Sequence, residues 1–167
     1  MKSILGILTI AAIVAMFSLS PFVASFAAGS SSITVSGRYF AVSTVTSEKA
    51  CGSNECVTGA VAETLTGGLS GTAACYGSNV VLPSGVSYFQ YTCTFVGSVK
   101  GVGSGIATVT ETGKDVPTSS GTIITSGHDT FSAGTGGLTG VTGQGTFHGV
   151  STSSEYGPGT DTTHFTW

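Results

Sequence analysis

The chain has 167 residues, among them 26 Gly, 26 Thr and 24 Ser, and carries five Lys and Arg against eight Asp and Glu, a formal net charge of −3. With 8% charged residues against 40% hydrophobic ones, it fits neither a disordered tail nor a charge-stabilised helical bundle. The cations Lys2, Arg38, Lys49, Lys100 and Lys114 are scattered, so no basic stripe exists for nucleic acid to follow.

Lys2 is followed by an apolar run from Ile4 to Leu19, then Pro21 and a small-residue stretch in which Ser25-Phe26-Ala27 satisfies the small-x-small rule for cleavage. The pattern predicts a secretory signal peptide over residues 1–27 and a single domain over 28–167. The alternative is an uncleaved anchor, because the run approaches the ~20 residues that span a bilayer; only then is the membrane a partner. Either way the expected location is extracellular or the cell envelope.

No window of the mature part shows apolar recurrence at helical spacing. Runs of Val, Ile, Thr, Tyr and Phe closed by Gly, Ser or Pro predict eight strands instead: Ile33–Val45, Val57–Leu65, Leu69–Tyr76, Val86–Val99, Ser104–Thr112, Thr122–Phe131, Val141–Val150 and Asp161–Trp167. Short turns at Gly67-Gly68, Pro83-Ser84-Gly85, Gly101-Val102-Gly103 and Gly157-Pro158-Gly159 make an antiparallel meander the simplest topology. Closure into a single eight-stranded β-barrel would remove its exposed edges. Thr46–Cys56 and Lys114–Ser120 are expected to be loops.

All four cysteines follow the leader, so export places them where disulfides form. Three pairings are possible. Spacing favours Cys51 with Cys56 and Cys75 with Cys93, because the midpoint of the second pair falls at Ser84, inside a predicted turn, and directly opposed strand residues suit a disulfide. The CGSNEC segment lacks the CxxC spacing of a zinc site, and neither a metal nor a cofactor is expected.

On the last predicted hairpin, a turn at Gly157-Pro158-Gly159 would set Phe147 opposite Phe165 and His148 opposite His164. Phe147, Phe165 and Trp167 would share the barrel interior, leaving both histidines on a Thr-rich outer face.

The segment from Gly134 to Phe147, GTGGLTGVTGQGTF, resembles the GTGxLxGLxGxGxF signature of bacterial proteins of unknown function built on the allene oxide cyclase barrel, with Val141 in place of Leu. Upstream, ETLTGGLSGTAA from Glu63 to Ala74 is similar to that family's second and third strands, and FVGSVKGVGSGI from Phe95 to Ile106 to its fourth and fifth. Thr162 to Trp167 takes the place of its closing strand. The resemblance runs from about Ile33 onward; the leader and the cysteine loop depart from it. It implies a calycin-like barrel, similar to plant allene oxide cyclases and dirigent proteins, which hold a flexible substrate in an apolar cavity. No catalytic residue carries over, and fold alone does not assign activity.

Two carboxylates, Glu63 and Glu111, share strand faces with apolar residues. Turned inward, either would be desolvated and could act as a general acid or base or anchor a polar head group. Tyr39, Phe89, Tyr91 and Phe95 are candidates to line the same cavity, or else to fill the core. There is no G-x-S-x-G elbow, and Gly127-His128-Asp129 puts neighbours on opposite strand faces, so a hydrolase is unsupported. The glycines from Gly134 to Gly140 lack a following helix or Lys and imply no nucleotide. The leading expectation is binding of a small apolar molecule without catalysis. The rivals are an isomerase or cyclase using Glu63 on a lipid-like substrate, and a self-associating envelope protein with a filled core. The sequence does not fix the oligomeric state.

Overall fold

The computed structural model describes residues 30–152 and 156–167; the expected signal peptide lies outside the described residues. The strands are β1 (Ser32–Cys51), β2 (Asn54–Gly67), β3 (Leu69–Val81), β4 (Ser87–Val99), β5 (Gly103–Pro117), β6 (Ile123–Ser132), β7 (Thr142–Ser151) and β8 (Tyr156–Thr166). Each pairs antiparallel with the next and β8 returns to β1, so the eight strands close into a barrel.

The period-two pattern shows why these segments are strands. In β4, Ser87, Tyr91, Cys93, Phe95 and Val99 are buried, whereas Tyr88, Gln90, Thr92, Thr94 and Val96 between them are exposed. One end of the barrel is packed shut by Leu69, Val99, Val141 and Phe165, with Phe131 meeting Phe95 and Phe165 edge-on at ring separations of 5.9 and 5.0 Å. The glycine-rich stretch between β6 and β7 is part of this seal. It folds through a single 3₁₀ turn, Gly136–Leu138, that drives Leu138 to 2% exposure, and the Thr135 amide ties it to β5 by donating to the Ile106 carbonyl at 2.8 Å. Glycine is required at Gly134 because a Cβ there would collide with the Leu138 carbonyl oxygen. The GTGGL run is therefore a plug beneath the barrel.

Cys75 and Cys93 face each other across β3 and β4 and form a disulfide, and Cys51 bonds to Cys56. Two such bridges belong to an oxidising, extracellular type of environment. Among the described residues, no helix is long and apolar enough to cross a membrane.

Three local expectations are corrected. Thr46–Cys56 is not a loop: β1 and β2 run on past a bulge between Val45 and Ser47 to a tight turn at Gly52-Ser53. Its residues are polar because the extension stands largely in solvent, and the Cys51–Cys56 bridge pins it. The first half of Lys114–Ser120 belongs to β5, where Asp115 accepts hydrogen bonds from the Ser87 and Thr125 hydroxyls at 3.1 and 2.7 Å, which satisfies a carboxylate inside the sheet.

Finally, Gly157-Pro158-Gly159 lies within β8. Pro158 pairs with Phe40 of β1, beyond the last β7–β8 pair at Gly149 and Gly159, where an edge tolerates proline. Phe147 consequently faces Asp161, not Phe165, which faces Gly143. The slip along β8 is an even number of residues, so side chains keep their faces: His148 and His164 are exposed, and His164 Nδ1 lies 3.0 Å from the Thr34 hydroxyl. Trp167 lies past the end of β8 and is 42% exposed, so it does not fill the interior.

Candidate functional site

Above the packed end, the barrel encloses a cavity of about 840 Å³, at odds with a filled core. All six residues singled out from the sequence line it. Glu63 enters from β2, Tyr39 from β1, Glu111 from β5, and Phe89, Tyr91 and Phe95 from β4, with Phe95 nearly fully buried at the floor. Phe147 joins the wall, stacked 6.1 Å from Phe89 and edge-on to Tyr39 at 6.3 Å. The Tyr91 hydroxyl donates to Asn79 Oδ1 at 2.6 Å, which fixes that ring.

The cavity is more acidic than the sequence reading anticipated. Asp129 of β6 and Asp161 of β8 also line it, at 6% and 5% exposure. Cross-strand register assembles the group: Glu111 sits directly opposite Asp129, and Asp129 is followed around the ring by Gly145 and Thr163. Like charges directly opposed in a sheet are unfavourable, so the arrangement works against stability unless something compensates it. Asp129 Oδ1, both Asp161 carboxylate oxygens and the Thr163 hydroxyl are buried without a partner in full hydrogen-bonding geometry, although the Thr163 hydroxyl lies near enough to Asp129, and the Gly37 amide to Asp161, to favour the charged carboxylates. Glycine makes room for them: a Cβ at Gly145 would collide with Asp129 Oδ1 and the Thr163 hydroxyl, and one at Gly37 would come within 3.2 Å of Asp161.

Burial is the leading reason these carboxyls hold their protons. Desolvation, reinforced by Asp161 and Asp129, pushes Glu63 up to about 7. Desolvation and Asp161 push Asp129 up to about 6, partly offset by the Thr163 hydroxyl, His128 and its own backbone. Glu111 is driven well above the usual carboxylate range by burial, then by Glu63 and Asp129, and Asp161 is raised by burial against the opposing pull of the Gly37 amide. Burial and the surrounding acids raise both the Tyr39 and Tyr91 phenols.

Charge is sorted by side of the wall. Among the described residues every acid borders the cavity: the four above and Asp115 inside the barrel, and Glu48 and Glu55, both exposed, at its mouth toward the β1–β2 extension. The described cations, Arg38, Lys49, Lys100 and Lys114, are all exposed. Cys75, Cys93 and Glu111 form the only group of three potential metal donors within 4.8 Å among the described residues, and both sulfurs are already bonded to each other. That cluster offers no thiolate to a metal.

Asp129 and Asp161 escaped the sequence reading although a signal was present. Asp129 has the parity of Phe131, and Asp161 that of Phe165, both buried aromatics. Comparison with known protein families finds no family model that matches this chain, and comparison with curated proteins finds no match.

Proposed function

We propose that this is an exported carrier that takes one small molecule with an apolar body into the barrel. The observation that supports it is the cavity of about 840 Å³ walled by Tyr39, Phe89, Tyr91 and Phe147, within the size range of small-molecule sites. The resemblance to allene oxide cyclase barrels points the same way, because those proteins also work by enclosing a ligand. Export is supported by the leader pattern and the two bridges; the amino terminus of the protein recovered outside the cell should then begin near residue 28.

Native mass spectrometry of the protein from its own host, followed by denaturation, is expected to release a stoichiometric small molecule. The neutral dye Nile red should enter the emptied barrel, and Ala41→Trp, which projects into the cavity, should block uptake. Failure of both release and uptake would refute the carrier reading.

One observation favours a second reading. A carboxyl that titrates near 7 is suited to general acid–base work, which makes Glu63 the acid–base group of a cyclase or isomerase acting on a lipid-like substrate. In that case Glu63→Gln abolishes turnover, and an unchanged rate removes Glu63 from the mechanism.

A further inference from the structure

We infer that the molecule this cavity takes is an organic cation: one or more ammonium groups on an apolar or aromatic body, paired with the carboxylates of Glu63, Glu111, Asp129 and Asp161. The inference rests on the carrier reading and deepens it by assigning the ligand its charge.

The first support is the sorting of charge. Four acids share the middle of the barrel, and no Lys or Arg among the described residues points in with them. Buried charges are ordinarily paired, because removing an ion from water costs several kcal/mol on the order of what a partner must return. Here the described residues supply no Lys or Arg as such a partner, so the compensating charge comes from protons or from a guest.

Unpartnered atoms are the second and independent support. Asp115 is also inward-facing, yet Ser87 and Thr125 satisfy both its oxygens, as a purely structural acid requires. Asp129 and Asp161 are more deeply buried and, with the Thr163 hydroxyl and the Gly37 amide close by, still keep three oxygens that no donor meets in full hydrogen-bonding geometry. An ammonium group supplies N–H donors and positive charge together, which is the combination these atoms lack.

The aromatic wall is the third support. Tyr39, Phe89, Tyr91 and Phe147 present rings to the same space, and ring faces attract cations as well as apolar bodies. Geometry also decides between an organic cation and a metal ion. Among the described residues no three acids bring oxygens within 4.8 Å of one another, so the carboxylates do not converge as a chelate would. They share a cavity of molecular size, which suits an organic cation.

Binding is expected to be proton-coupled. Glu63, Glu111, Asp129 and Asp161 hold protons more tightly than usual, and pairing with an ammonium releases protons to solvent while the amine stays charged. The other titratable groups around the cluster are Tyr39 on β1, Tyr91 on β4 and Asp115 on β5, with Glu48 and Glu55 toward the opening and His128 outside on β6. Affinity for a cation should therefore rise between about pH 5 and pH 8, in step with carboxyl ionisation.

The test uses three ligands with one indole body: tryptamine, the neutral alcohol tryptophol and the anion indole-3-propionate, each competing with Nile red at pH 7.5. Spermidine serves as an extended cation. Tryptamine or spermidine is expected to displace the dye at concentrations at least about tenfold below tryptophol, as a charge-assisted contact implies, and the anion should displace it least. The double variant Asp129→Asn/Asp161→Asn should lose that preference while still taking up Nile red, which shows that it folds and keeps its cavity. If Nile red binds but tryptophol or the anion competes as well as the cations, or no cation competes, the charge assignment is overturned and the carrier reading stands. If the protein takes up neither the dye nor any of the four competitors, the carrier reading falls with it.

Discussion

Replacing Glu63 with Gln should make the protein more stable at pH 8 and leave it nearly unchanged at pH 4. The carboxyl titrates near 7 in the folded barrel against 4.5 in a solvated chain, chiefly through burial. Between those two pH values the folded state holds the extra proton. Stability is therefore fully present below pH 4.5 and is lost as pH rises through 7. At 1.36 kcal/mol for each pH unit, the interval corresponds to about 3 kcal/mol that the ionised carboxylate costs the native state at pH 8. Asp129 shifts in the same direction, from 3.8 to about 6, and Glu111 and Asp161 are raised as well. The four acids interact, so the total is smaller than four independent contributions. Glu63→Gln removes one ionisation and relieves its neighbours, with an expected gain at pH 8 of up to about 3 kcal/mol, roughly 10 °C in Tm for a domain of this size. Urea denaturation of both proteins at pH 4, 6 and 8 measures it, alongside the wild-type melting temperature, which should fall from pH 5 to pH 8. A Glu63→Gln protein that is less stable than wild type at pH 8, and by a larger margin there than at pH 4, would show that Glu63 is ionised and well paired, and would refute the reasoning.

Leu138→Ala should cost about 2–5 kcal/mol in urea denaturation, since Leu138 seals the packed end at 2% exposure; a cost under 1 kcal/mol would mean the plug is dispensable. Gly145→Ala is expected to destabilise by about 1–3 kcal/mol through its clash with Asp129 and Thr163, and unchanged stability would disprove that close approach. Removing the Cys75–Cys93 bridge by paired Ala substitution should cost about 3 kcal/mol and removing Cys51–Cys56 about 2 kcal/mol, as their separations of 18 and 5 residues imply. Non-reducing peptide maps check the pairing itself, and a Cys51–Cys75 peptide would contradict the β3–β4 register.

Where a turn residue and a covalent partner agreed, the sequence could be read closely. Pro83-Ser84-Gly85 centres the β3–β4 hairpin, and the same centre places Cys75 opposite Cys93. At the far hairpin the same logic failed because Gly157-Pro158-Gly159 looks like a turn but lies on a strand with edge character, and proline in sequence does not reveal which neighbour is missing. Alternation placed Glu63 and Glu111 on strand faces with apolar neighbours, which left an inward orientation open without deciding it. It could equally have located Asp129, but the His128-Asp129 pair drew attention to a triad that strand geometry forbids. The joining of Glu111 to Asp129, and of Asp129 to Thr163 across Gly145, depends on the exact register of three successive hairpins, for which no turn centre and covalent partner agree as they do at β3–β4.

The sorting of acids to the inside also gives the two bridges different chemical lifetimes. Reduction of a disulfide requires an anionic thiolate to reach sulfur in line. The Cys75–Cys93 bridge is buried, and Glu111 brings a carboxyl oxygen within 4.8 Å of both its sulfurs. A thiolate attacking there must shed its water and carry a further negative charge into a chamber already crowded with acids. At the tip of the β1–β2 extension the Cys51–Cys56 bridge is half-buried among residues that stand in solvent, so the desolvation barrier there is lower. A reductant that opens the outer clasp within minutes would leave the inner staple closed, so the molecule can lose the order of its lip while the barrel that holds the ligand stays locked.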